Sequence, residues 1–114
     1  MDLYHADIRL PEGFRLPARV VNLYWTRHAD RARLNDRYGE IPPIPLVDLA
    51  QCNTIEVGLT GRKVEKVVVR TPFDTYNDLV LVLIPGPGAW TVKTVWFNQV
   101  NDTHKTLDRS KYMR

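Results

Sequence analysis

Six consecutive aliphatic residues, Leu79-Val80-Leu81-Val82-Leu83-Ile84, constrain the fold more than any other feature of the chain. A strand that faces water on one side alternates apolar and polar residues. A run with no polar member fits a strand covered on both faces, in the middle of a sheet. It falls far short of the about 20 apolar residues a membrane helix needs, and no other uninterrupted run comes near that length. Pro85-Gly86-Pro87-Gly88 ends it with a tight connection. Trp90 to Phe97 then resumes as a second extended segment that alternates in its middle. Upstream, Thr54–Leu59 and Val64–Arg70 read as two more strands joined at Gly61. Connections this short predict antiparallel meander pairing.

The first part of the chain has a different pattern. Arg19–Trp25 is rich in β-branched and aromatic residues and predicts a strand. Thr26 is placed to cap a helix over about Arg27 to Arg37, with Gly39 just past its end. Asp30 suits the start of that helix, and Arg33 and Arg37 suit its end. Ala29, Ala32 and Leu34 give it a modest apolar surface, which predicts one broad exposed face. Pro42, Pro43 and Pro45 interrupt regular structure. Pro45–Ala50 reads as a short turn of helix. The expected class is α+β: one N-terminal helix region packed on a curved antiparallel sheet of about four strands. At 114 residues the chain fits one domain, with an arm over 1–18, a core over 19–98 and a basic C-terminal segment over 99–114.

With 44 % hydrophobic and 25 % charged residues the composition is that of a globular protein and excludes intrinsic disorder. A lone cysteine, Cys52, excludes an internal disulfide and a multi-cysteine zinc site. The scattered His5, His28, Cys52 and His104 have no metal-ligand spacing, so neither a metal nor a cofactor is expected. Met1-Asp2-Leu3-Tyr4-His5 lacks the character of a secretory signal, and the expected compartment is the cytoplasm, with no membrane partner. The net charge of +3 is too small to name a nucleic-acid partner, so its distribution matters more.

Three clusters hold that charge. On the predicted helix, His28 and Arg31 lie three residues apart and share a face, with Arg27 and Asn35 close by. Such a face is either a solvated basic surface or a phosphate site at which arginine holds the anion and imidazole moves a proton. On the second meander strand, period two places Val64, Lys66, Val68 and Arg70 on one face and Glu65, Val67 and Val69 on the other. Lys66 and Arg70 can then follow a nucleic-acid backbone together, or protect an edge strand from aggregation. The third cluster follows Phe97 and carries His104, Lys105, Arg109, Lys111 and Tyr112; from Asn101 onward four cations face two carboxylates. It reads as a polar tail or as functional groups placed just beyond a rigid strand.

Two histidines on separate elements suit metal-independent RNA cleavage. One imidazole takes the proton of the ribose 2′-hydroxyl, the other protonates the leaving 5′-oxygen, and Arg or Lys offsets the charge on phosphorus, leaving a 2′,3′-cyclic phosphate. The order strand, helix and antiparallel strands, with Arg27-His28-Ala29-Asp30-Arg31-Ala32-Arg33 on the helix and Val92-Lys93-Thr94-Val95-Trp96 as the last core strand, resembles the small RNase-toxin superfamily. That superfamily includes barnase, EndoU, colicin-type tRNases and RelE-related proteins of bacteria and phages. The resemblance spans about residues 19–98. It implies an RNA-cleaving or RNA-binding, toxin-like protein with an RNA substrate and an antitoxin partner. His28, Arg31, Arg70 and His104 are the candidate catalytic residues it carries over. The proline segment at Pro42–Pro45 and the Thr103-His104-Lys105-Thr106 tail depart from it. The alternative is a non-catalytic phage or mobile-element regulator that docks on a host protein or nucleic acid, using Tyr4, Trp25, Trp90 and Tyr112 as aromatic anchors; core packing is the competing role for Trp25 and Trp96.

Overall fold

The computed structural model describes residues 18–60 and 63–101. Within them the chain forms β1 (Val20–Trp25), α1 (Arg27–Leu34), β2 (Leu46–Asp48), a 3-10 turn (Leu49–Gln51), β3 (Asn53–Thr60), β4 (Lys63–Pro72), β5 (Asn77–Ile84) and β6 (Trp90–Gln99). The class is α+β, as expected. The sheet, however, has six strands rather than about four, in the order β2-β1-β6-β5-β4-β3. It is also mixed. β3 to β6 form the predicted antiparallel meander, but β1 lies parallel to β6, with Leu23 opposite Trp90 and Trp25 opposite Val92. The three-residue β2 sits inside the segment expected as a turn of helix. Only its second half makes a helical turn, started by Asp48, whose side chain accepts from Ala50 N.

The aliphatic run forms most of β5, which lies between β4 and β6. Leu79 to Leu83 are all buried, while Ile84 at its end is exposed. Leu79, Leu81 and Leu83 join Val67, Val69, Val92, Val95 and Phe97 in the main core, which α1 closes with Ala29. Val80 and Val82 point to the other face and pack with Val68, Ile55 and Trp96. Each aliphatic side chain so buried contributes about 1.5–3 kcal/mol.

Bulges correct the simple period-two reading. Gly58 opposes Lys66 but Leu59 opposes Val64, so Glu65 is an extra residue. Val64 therefore joins the main core beside Val67 instead of sharing the face of Lys66. In β6, Thr94 opposes Val82 and Val92 opposes Leu83. Lys93 is the extra residue there, and both Val92 and Val95 reach the core.

The connection between the sheet's two edges fixes its curvature. β2 and β3 are the outermost strands, yet only residues 49–52 separate them. A flat six-stranded sheet holds its edge strands about 24 Å apart. Even a fully extended chain from Asp48 to Asn53 spans only about 18 Å. The sheet must curl until its edges approach. At the seam Leu49 is buried, Leu49 N donates to Arg19 O at 3.0 Å, and the Cys52 thiol donates to Asp48 O at 3.4 Å.

Candidate functional site

Helix α1 starts where β1 leaves the sheet. The Thr26 hydroxyl accepts from Ala29 N and donates to Val92 O, both at 3.0 Å, so the predicted cap also ties the helix to β6. The helix ends at Leu34, three residues sooner than expected. Asn35 closes it by donating from its side chain to Arg31 O at 2.8 Å and from its backbone to Ala32 O at 3.3 Å. Gly39 beyond it has φ +128°, a conformation glycine adopts at little cost. Ala29 and Ala32 pack on the sheet, whereas Leu34, expected to add apolar contact, is exposed.

This placement leaves Arg27, His28, Arg31 and Asn35 exposed. Arg33 is turned in. Its Nε binds Asp30 Oδ1 at 2.6 Å and its terminal nitrogen donates to Ile41 O at 3.3 Å. The only carboxylate on the helix is therefore balanced by an arginine from the same helix, and Arg27 and Arg31 form no ion pair among the described residues. The exposed face is cationic with a histidine in it, and its charge is available to an anion.

The strand cations have other duties. Lys66 and Arg70 do share the sheet face of Val68, but Lys66 Nζ binds Glu56 Oε2 at 2.9 Å and Arg70 Nε binds Asp78 Oδ2 at 2.6 Å. Arg70 also donates to Gln99 O at 3.0 Å, joining β4 to the end of β6. Each positive charge is offset by a neighbouring carboxylate. Moreover, α1 covers the face carrying Val67 and Val69, whereas Arg70 lies on the opposite face beside Val80. The structure brings His28 and Arg31 together and does not bring Arg70 to them. His104, Lys105, Arg109, Lys111 and Tyr112 lie outside the described residues, as do Tyr4 and His5.

Two of the expected aromatic anchors are structural. Trp90 is fully buried in the main core. Trp25 is half-buried and donates from its indole to Ile44 O at 2.6 Å. Among the described residues, the large exposed apolar side chains are instead Val20, Tyr24, Leu34, Tyr38, Leu46, Phe73, Tyr76, Ile84 and Val100. Asp36 and Asp74 are the sequence signal that bears on two of them. Aspartates two residues ahead of Tyr38 and Tyr76 mark Asx turns, which hold a loop residue in a fixed backbone position. Burial raises the Cys52 thiol pKa above its ordinary value, helped by the Asp48 carboxylate and opposed by a hydrogen bond from Thr71. A thiol in that state is a poor nucleophile. No group of three metal-ligating side chains occurs among the described residues, and no described helix is long and apolar enough to cross a membrane.

Comparison with protein-family models, curated proteins and solved structures gives no significant match for this chain.

Proposed function

We propose that this protein binds RNA through the exposed face of α1 and cleaves it without a metal ion, in the manner of a toxin-like ribonuclease. One observation carries the reading. Arg27, His28 and Arg31 stand together on the solvent-facing side of α1, and the one carboxylate of that helix, Asp30, is already paired with Arg33. The arginines bind phosphate. His28 is the candidate base for the 2′-hydroxyl proton, and Arg31, one turn away, offsets charge building on phosphorus. His104 is the candidate acid for the leaving 5′-oxygen. Arg70 has no direct part in this reading, because Asp78 and the β6 backbone hold it on the other sheet face.

The test is incubation of purified protein with RNA in EDTA, alongside Arg27→Ala, Arg31→Ala and His28→Ala. Binding should weaken in both arginine variants, and 2′,3′-cyclic phosphate ends should disappear in His28→Ala. If the parent protein leaves RNA intact and unbound at low salt, the proposal fails.

A second reading rests on a different observation. On the sheet face away from α1, Val20, Tyr24, Leu46 and Ile84 are exposed, with Tyr24 62 % accessible. Such a surface suits a protein partner, either a host protein or an antitoxin. Loss of a captured stoichiometric partner on Tyr24→Lys would favour it; unchanged capture would remove it.

A further inference from the structure

Beyond the end of α1, a chain of contacts links the cationic helix to a set of exposed aromatic rings. Asp36 Oδ2 accepts from Tyr38 N at 3.0 Å, while Asp36 Oδ1 accepts from Phe97 N on β6 at 3.1 Å. The Phe97 ring packs on Phe73, with centroids 4.8 Å apart and planes tilted by 57°. Phe73 begins the β4–β5 hairpin tip, and Tyr76 follows three residues later. The tip is rigid. Asp74 Oδ1 accepts from Tyr76 N and Asn77 N, both at 2.8 Å, and Tyr76 O accepts from Val100 N at 3.0 Å. Yet Tyr76 is 76 % accessible, and Tyr38 and Phe73 are exposed as well. The Arg37 guanidinium lies over the Tyr38 ring, 5.1 Å from its centroid.

Tyr76 buries little in this fold, and Tyr38 and Phe73, 40 % and 41 % accessible, each keep part of a ring in water. They lie beyond the C-terminal end of the cationic helix, and the two together supply what single-stranded nucleic acid requires: cations for the phosphates and flat rings for unpaired bases. Of the carboxylates close in sequence to these rings, Asp36 and Asp74 accept hydrogen bonds from backbone N–H groups and Asp78 is paired with Arg70, which offsets part of their charge toward a polyanion, while Glu40 is exposed. A duplex can use the cations but not the rings, since its bases are already stacked and paired. We infer that Tyr38, Phe73 and Tyr76 supply stacking surfaces for the unpaired bases of a single strand whose phosphates run along α1 over Arg31 and Arg27. The inference rests on the RNA-binding reading above and narrows its substrate to single strands.

The test is fluorescence-anisotropy titration of the full chain with a labelled RNA oligonucleotide of about a dozen nucleotides, as a single strand and as a duplex, and with the same strand as DNA. The single strand should bind more tightly than the duplex. Tyr76→Leu and Tyr38→Leu should each weaken single-strand binding by about fivefold or more and leave duplex binding unchanged. Tyr76→Phe, which keeps the ring, should bind as the parent does. DNA binding equal to RNA binding agrees with recognition by ring and phosphate. Unchanged single-strand affinity in both leucine variants, with binding still lost in Arg27→Ala, would overturn the stacking role and leave the RNA reading intact. Absence of RNA binding by the parent would overturn both. Circular dichroism of each variant separates lost contact from lost fold.

Discussion

Arg70 and Asp78 face each other across β4 and β5, with 2.6 Å between Nε and Oδ2, and both side chains are mostly buried. Removing one partner strands the other charge in a dry place. Arg70→Ala should therefore destabilise the protein by about 2 kcal/mol or more. Affinity for RNA should hold, because Arg70 is on the face away from α1. Urea melts paired with RNA titration check this; a large loss of affinity in a fully folded Arg70→Ala protein would restore Arg70 to the binding surface.

Asp36 joins the turn after α1 to β6 through Phe97 N and also orders its own turn through Tyr38 N. Asp36→Ala removes both acceptors and should cost about 1–2 kcal/mol. Faster amide exchange at Phe97 and Tyr38 than elsewhere in β6 would be its signature.

Trp90 is fully buried, and its indole N–H has no hydrogen-bond partner among the described residues. The group carries a desolvation cost of about 1–3 kcal/mol that phenylalanine avoids. Trp90→Ala should lose about 3–5 kcal/mol through its cavity. Trp90→Phe should lose much less than size alone suggests. Equal losses in thermal melts of the two variants would contradict this account of Trp90.

Gly58 lies under Lys66 where β3 and β4 pair. A Cβ added there would come 2.8 Å from Lys66 Cγ. Gly58→Ala should push the lysine stem aside and open the Lys66–Glu56 pair. The pair is partly exposed, so the loss should stay near or below about 1 kcal/mol. Comparing Gly58→Ala in the parent with Gly58→Ala in Lys66→Ala checks the cause, since the penalty should shrink when the lysine is absent.

Cys52 gives the fold a pH dependence of known sign. Burial raises its thiol pKa in the folded state, so above the ordinary thiol pKa of the unfolded chain that chain binds fewer protons than the folded one. Stability should be complete below that pH and fall as pH rises toward the folded pKa. Cys52→Ala should flatten the decline; an identical decline in the variant would assign it to other groups.

The meander was legible because each of its strands carries its own signal: the aliphatic run in β5, the alternation in β6 and the turn residues between them. Thr26 marked the start of α1 for the same local reason. The parallel pairing of β1 with β6 was not legible, since Leu23 and Trp90 meet across most of the chain with no local pattern to announce it. β2 is too short to show a period, and the extra residues Glu65 and Lys93 shift faces without changing composition. Of the candidate site, His28 and Arg31 follow from helical spacing. The carboxylates that occupy Lys66 and Arg70 come from neighbouring strands, so those pairings emerge only once the strands are in register.

The four residues between β2 and β3 have a consequence for how the molecule meets other chains. An open sheet ordinarily offers two independent edges to which a foreign strand can add. Here one stretch of backbone, Leu46 to Thr60, supplies both, and the turn at Leu49 and Cys52 draws them toward each other. A single proteolytic cut in that turn would release both edges at once. The nicked protein would then carry two adhesive borders in place of one guarded seam, and self-association would rise from the loss of a single peptide bond.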